Sequence, residues 1–196
     1  MWMIETGLLC DGHTYISGVD EAGRGSLAGP VYAAAVIFPP GADIPGINDS
    51  KKLSAGRREE LYKIITDKAV SYAVASADHK EIDDLNILNA TYLAMNRAIA
   101  ALQVQPSVSL IDGNRNKGIR FPSKCVTGGD RISASIAAAS ILAKVSRDKY
   151  MTGISEQFPG YAFEKHKGYG TKLHYERLRK LGPSGIHRSS FLKRLH

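Results

Sequence analysis

Apolar and polar positions alternate along this chain in two distinct periods. Residues 15–20 and 31–38 are short apolar runs, separated by a glycine-rich bend at 23–29 and closed by Pro39-Pro40-Gly41, which predicts two adjacent strands. Ser54 is placed to cap a helix carrying Leu61, Ile64 and Ile65 on one face, and the alternation over 72–77 predicts a third strand. Leu85, Leu88, Tyr92, Met95, Ile99 and Leu102 then recur at helical spacing. They predict one long helix whose first turn, with Glu81, Asp83 and Asp84, suits the helix dipole. Two further short strands are expected at 108–112 and 124–127, followed by a long alanine-rich helix opened by Gly128-Gly129-Asp130 and reaching about Tyr150. This order implies an α/β fold, a mixed sheet with helices packed on it. Past residue 163, Gly168, Gly170, Gly182, Pro183 and Gly185 interrupt short helical pieces anchored by Leu173, Leu178 and Leu181. The expected organisation is therefore a main domain over 1–162 and a small helical extension over 163–196.

Composition changes this picture only in its second half. The chain has 196 residues and a formal charge of +7, yet residues 164–196 hold nine basic side chains against two acidic ones, so the whole excess lies there. Those cations are Lys165, Lys167, Lys172, Arg177, Arg179, Lys180, Arg188, Lys193 and Arg194. Tyr169, Tyr175 and Phe191 are interleaved with them, as on a surface that grips a phosphate backbone, and a polyanion such as nucleic acid is the expected partner. Only Cys10 and Cys125 are present, too few for a disulfide framework, and no apolar run approaches the roughly 20 residues of a membrane span. A soluble, cytoplasmic protein is the expectation.

Acidic residues stand where the pattern otherwise builds core. Asp20 and Glu21 end an apolar run between Gly18-Val19 and Ala22-Gly23, and Asp112 follows Val108, Leu110 and Ile111 in the same way. If those strands are neighbours, three carboxylates converge at one sheet edge, where like charges raise one another's pKa unless a cation holds them. Oxygen donors without nearby His or Cys suit a hard ion, Mg²⁺ or Mn²⁺. Asp130, after two glycines, is the natural fourth ligand, with a helix N-cap as its other reading. Asp148 lies about 27 Å further along the same predicted helix and belongs to no shared site. Carboxylates holding two ions about 3.5–4 Å apart are suited to in-line displacement at phosphorus. Together with the basic extension they point to a metal-dependent nuclease.

These residues also resemble a known family. Gly18-Val19-Asp20-Glu21-Ala22-Gly23-Arg24-Gly25 with Leu27-Ala28-Gly29-Pro30 is similar to the opening signature of the type 2 ribonucleases H, ribonuclease HII. Further similar blocks follow in order: Asp49-Ser50-Lys51-Lys52-Leu53, Ile111-Asp112-Gly113, Gly129-Asp130 leading into Ser135–Ile141, His166–Thr171, and His187-Arg188 with Ser190-Phe191. The resemblance implies a ribonuclease H-like mixed five-stranded sheet flanked by helices, with a C-terminal helical extension. It implies hydrolysis of the RNA strand of RNA/DNA hybrids and incision of duplex DNA at embedded ribonucleotides, leaving 5′-phosphate and 3′-OH ends. By the same resemblance Asp20, Glu21, Asp112 and Asp130 are the catalytic, metal-binding carboxylates, holding two divalent ions. Gly23, Arg24 and Gly25 form the loop that recognises the ribose 2′-OH and adjoining phosphate, and Tyr169 packs on the sugar beside the RNA-to-DNA junction.

The residue types suit these roles, because glycines let backbone groups approach a nucleotide and the 2′-OH is what locally separates RNA from DNA. Lys51, Lys52, Lys165 and Lys167 are candidate phosphate contacts. The C-terminal residues show no sliding-clamp-binding pattern, and a monomer is expected. Two rivals stand beside this reading: metal-free cleavage by His166, His174 or His187, and a hybrid-binding protein without catalysis.

Overall fold

The computed structural model describes residues 1–47 and 53–193, so Lys51 and Lys52 lie outside the described residues. Strands β1 (Ile16–Ala22), β2 (Val31–Ile37), β3 (Ser71–Ala77), β4 (Val108–Asp112) and β5 (Ser123–Val126) form one five-stranded sheet in the order β3-β2-β1-β4-β5. β1, β2 and β3 are an antiparallel meander, whereas β4 and β5 add parallel to β1. The mixed sheet expected from the pattern is thus present.

Helices cover both faces. On one lie α2 (Ala55–Lys68) and the long α5 (Ala134–Gly153), whose Ala137, Ala138, Ala139 and Ala143 are fully buried against Ala34 and Val36. Small side chains let the helix lie close: a Cβ on Gly18 of β1 would stand 2.1 Å from the Ser135 backbone carbon. α4 (Ile87–Ala100) covers the other face, packing Ala94, Met95 and Ile99 on Val19, Ala33 and Ile37. Strand residues alternate between the two faces, so Asp20 shares the α5 side with Gly18 and Ala22.

Three local expectations are corrected. The single long helix is two, α3 (His79–Leu85) and α4, broken at Asn86, which has φ 66 and caps α4 by accepting from the Leu88 and Asn89 N–H groups. Period alone could not reveal this, because an asparagine tolerates the left-handed conformation and supplies its own cap. Leu85, at the break, is exposed. Glu81 therefore closes a capping box with Asp78 on α3, and Asp83 serves a different helix, accepting from the Ser189 and Ser190 N–H groups at the start of α8 (Ser189–Leu192). Asp130 does not open α5: it sits in a separate 3₁₀ turn (Gly129–Arg131), and the α5 cap is Ser133. An N-terminal helix, α1 (Met3–Cys10), has no counterpart in the sequence reading.

The C-terminal segment contains α6 (Phe163–His166), α7 (Lys172–Leu181) and α8. Its apolar anchors are Phe163 and Ile186, packed with Tyr161, Ala28 and Met151, while the expected anchor Leu181 is exposed. Two isolated β-bridges, Ser26 to Tyr169 and Ala28 to His187, tie it to the loop after β1.

Candidate active site

The parallel pairing of β1 with β4 ends with Val19 opposite Ile111, so the next residues, Asp20 and Asp112, stand side by side where these two strands part, Asp20 still paired with Ala34 of β2 and Asp112 with Val126 of β5. Asp20 is buried, and a side-chain hydrogen bond joins it to Ser140 on α5. Burial first, then the Glu21 and Asp112 charges, hold the Asp20 carboxyl well above the usual carboxylate range, against the opposing hydrogen bonds from Ser140 and the Glu21 N–H. Glu21 and Asp112 are therefore close enough for their charges to act on Asp20. Asp130 is also buried, and its chain neighbour Gly129 donates its N–H to Asp112 Oδ1 at 2.7 Å.

The donor set is carboxylate oxygen throughout, which fits a hard divalent ion and offers nothing to a soft one. The crowding that raises the Asp20 pKa is what such an ion would relieve. Two of the acids are also turned to local donors: Asp20 Oδ1 to the Glu21 N–H at 2.7 Å, and Glu21 Oε1 to Arg24 at 3.0 Å. Among the described residues, no three His, Cys, Asp or Glu side chains are already drawn together as a ligand cage.

A cleft of about 260 Å³ adjoins the carboxylates, lined by Glu21, Gly23, Arg58, Ser140, Lys144 and Tyr169 among others. Cations stand over the tyrosine: Lys144 Nζ and the Arg147 guanidinium each lie 5.1 Å from its ring centre. Arg24 and Gly25 are exposed beside this cleft, and a Cβ on Gly25 would meet nothing within 4 Å. Gly23 differs. It has φ +95, and a Cβ there would fall 2.0 Å from Arg147 Nε, so its missing side chain makes room for the protein's own interior.

Two arginines fix the loop from beneath. Arg147 donates to the Pro30, Ala28 and Lys167 carbonyls at 2.9, 3.2 and 3.0 Å. Arg188 donates to Gly29, Arg24 and Gly23 at 2.9, 2.8 and 2.7 Å. Arg188 is fully buried, so it is not among the cations available to a polyanion, contrary to the sequence expectation. Burial, then the Arg147 charge, lowers its pKa to about 9, and it remains a cation at neutral pH.

The three histidines of the rival mechanism are likewise buried. The Ser184 N–H donates to His187 Nδ1 at 2.8 Å, which leaves His187 Nε2–H to donate to His174 Nε2 at 3.0 Å and His174 Nδ1–H to the Tyr169 carbonyl at 3.0 Å. His166 accepts the Gly168 N–H and donates to the Tyr161 carbonyl. Every ring nitrogen is engaged in holding the Tyr169 segment, so none is left to move a proton in the cleft. Lys165 is exposed, and Lys167 is partly so, its ammonium turned to the Glu164 carbonyl.

Comparison with known proteins decides the family. The model described as Ribonuclease HII matches residues 17–194. The chain belongs to the ribonuclease HII family. The Ribonuclease HII of Caldicellulosiruptor bescii is 53% identical over 192 residues, covering 98% of this chain and 93% of that one. The crystal structure of ribonuclease H2 from Pyrococcus horikoshii OT3 superposes with a TM-score of 0.75 at 25% identity, covering 90% of this chain and 93% of that one. A third structure, Bst-RNase HIII in complex with Mn²⁺, shares the fold with a TM-score of 0.64 at 21% identity, covering 86% of this chain and 63% of that one. The sheet and its flanking helices are thus the ribonuclease H-like fold. Ribonuclease HII membership also carries the class of chemistry, that of a hydrolytic nuclease.

Several residues at this ribonuclease HII site escaped the sequence reading as individuals. Ser140, Lys144 and Arg147 all lie on α5. Arg147 left a legible signal, because Ala139, Ala143, Arg147 and Met151 are spaced by four and all buried, and a cation on such a stripe requires partners. Arg58, on α2, left none.

Proposed function

We propose that this chain is a divalent-metal-dependent endonuclease that hydrolyses the RNA strand of RNA/DNA hybrids and incises duplex DNA at embedded ribonucleotides, leaving 5′-phosphate and 3′-OH ends. The observation that carries the reading is the buried Asp20 carboxyl, crowded by Glu21 and Asp112 beside a cleft that also presents Lys144, Arg58 and Tyr169. Asp20, Glu21, Asp112 and Asp130 would hold the ions, Mg²⁺ or Mn²⁺ and two in the active complex, which when bound supply a water-derived nucleophile and stabilise the leaving oxygen. Ser140 orients Asp20 through its hydrogen bond. Gly25, open in front, lets a ribose approach the backbone, and Arg24 meets the adjoining phosphate once it releases Glu21. Tyr169, held through its carbonyl by His174, offers its ring to the sugar beside the junction.

The segment 163–196 acts in this reading as the substrate-gripping extension of a catalytic domain over 1–162, with Lys165 and Lys167 contacting phosphates. Lys51 and Lys52 are assigned the same role from the sequence alone. The reading also includes a monomer, no clamp recruitment through the C-terminal residues, and a cytoplasmic setting, in keeping with two free cysteines. Among the described residues no helix is long and apolar enough to cross a membrane.

The deciding experiment is strand-specific cleavage of a hybrid, and of a duplex carrying one ribonucleotide, with and without a chelator. Cleavage that stops with the chelator and leaves 5′-phosphates is the expected result. A 2′,3′-cyclic phosphate formed in the chelator would return the histidine mechanism, and binding without turnover would leave only a hybrid-binding protein.

A further inference from the structure

Arg188 lies more than 160 residues from the loop it holds, with separations of 164 to Arg24 and 165 to Gly23. A planar trans peptide points its C=O and the following N–H in opposite directions. Drawing the Gly23 and Arg24 carbonyls inward onto one guanidinium therefore turns the N–H groups of Arg24 and Gly25 toward solvent. Neither N–H makes a hydrogen bond among the described residues, and the space before Gly25 is open. The third bond, from Nε to Gly29, fixes the guanidinium plane itself, so both peptide orientations are set together.

We infer that Arg188 is a positioning residue that holds the Arg24 and Gly25 N–H groups outward as a fixed pair of donors for the ribose and its phosphate. This rests on the reading of the Gly23-Arg24-Gly25 loop as the ribose-recognising element. An arginine is required because its planar fork reaches three carbonyls at once, whereas an ammonium has no fixed donor plane. The chain's C-terminal end thereby sets the recognition loop without touching the nucleic acid. Arg188 therefore acts through geometry, not as a phosphate contact.

Arg188→Lys keeps the charge and removes the fork. For the duplex carrying one ribonucleotide, KM should rise about tenfold while kcat changes little, as expected when binding contacts loosen. Circular dichroism should report a folded chain, and calorimetry with Mn²⁺ should give unchanged affinity. A folded Arg188→Lys with an unchanged KM overturns the inference, as does a parallel fall in Mn²⁺ binding and cleavage, which would mark a general structural role.

Gly25→Pro deletes one of the two donors and leaves Arg188 in place. Wild-type cleavage by Gly25→Pro would defeat the reading of the loop, whereas impaired Gly25→Pro beside normal Arg188→Lys would defeat the role of Arg188 alone. If Arg188→Lys does not fold, the unaltered ¹⁵N-labelled chain supplies the test. The Arg188 Nε–H should exchange slowly with solvent, and the Arg24 and Gly25 amide signals should move with the ribonucleotide-bearing duplex but not with the same duplex in DNA alone. Rapid exchange at Arg188, or equal movement with both duplexes, sinks the inference.

Discussion

The two charged regions of this molecule handle burial in opposite ways. Where β1 and β4 part, Asp20 is buried with like charges for neighbours, and its pKa rises. In the C-terminal segment, Arg188 is buried among carbonyls and three histidines are buried as neutral rings. Arg188 too has a like charge beside it, Arg147, but its donors are taken up by three carbonyls; buried charge satisfied in this way marks architecture, whereas acids crowded together beside an open cleft mark chemistry. A count of charges along the chain cannot separate the two.

The largest effect should come from breaking the acidic side of that contrast. Asp20→Asn or Asp112→Asn should lower cleavage by about a thousandfold or more while substrate binding is largely kept, measured by turnover and by a binding assay in parallel. Asp20→Asn should also melt at higher temperature without divalent ions. Burial raises the folded-state pKa of Asp20, so the unfolded chain gives up this proton more readily, and stability falls as pH rises from the usual carboxylate range toward the raised value. Each kcal/mol relieved corresponds to about 2–4 °C. A variant that melts lower would mean the crowding is already relieved.

Next comes acidification of the histidine network. Burial is the main cause holding His174 and His187 to about 4, and it lowers His166 as well. Their contribution is complete above about 6.5 and is lost as pH falls from there toward 4, because the unfolded chain takes up protons that the folded one refuses. The loss is on the order of 3 kcal/mol for each of His174 and His187. Melting followed from pH 7 to 4.5 should show it, and a flat profile over that range would contradict the buried neutral rings.

Tyr169→Ala should have a smaller effect, about tenfold, and should impair incision at a single embedded ribonucleotide more than cleavage within a long hybrid. Equal losses on the two substrates would remove the junction role. The smallest effect should follow neutralising Lys165 and Lys167. Binding should weaken uniformly across sequences, and the salt slope should fall by about one for each phosphate that is no longer neutralised. An unchanged slope would make them solvated bystanders.

Much of the fold could be read from periodicity because burial imposes it. β1, β2 and β4 fall close to their expected positions, and Ser54 caps α2 as its place before the apolar pattern implied. The break at Asn86 was not legible, since apolar spacing continues across it while one left-handed residue redirects the chain. The acids were legible by their misfit in apolar runs. The roles of Asp83 and Glu5 were not, because their partners are distant: Asp83 binds Ser189 and Ser190, and Glu5 accepts from Ser133 and Ser135.

The amino-acid order by itself determined the strand-forming runs, the acids that interrupt them and the excess of positive charge near the C-terminus. Those depend on side-chain type and local spacing, which are properties of the chain alone. Only the tertiary structure decided that β1 and β4 pair in parallel, which sets Asp20 and Asp112 side by side, and that Arg188 and the histidines turn inward while Lys165 stays in water. Proximity and burial are set by packing between distant segments, and the same arginine is a surface cation or an internal clamp according to what folds around it.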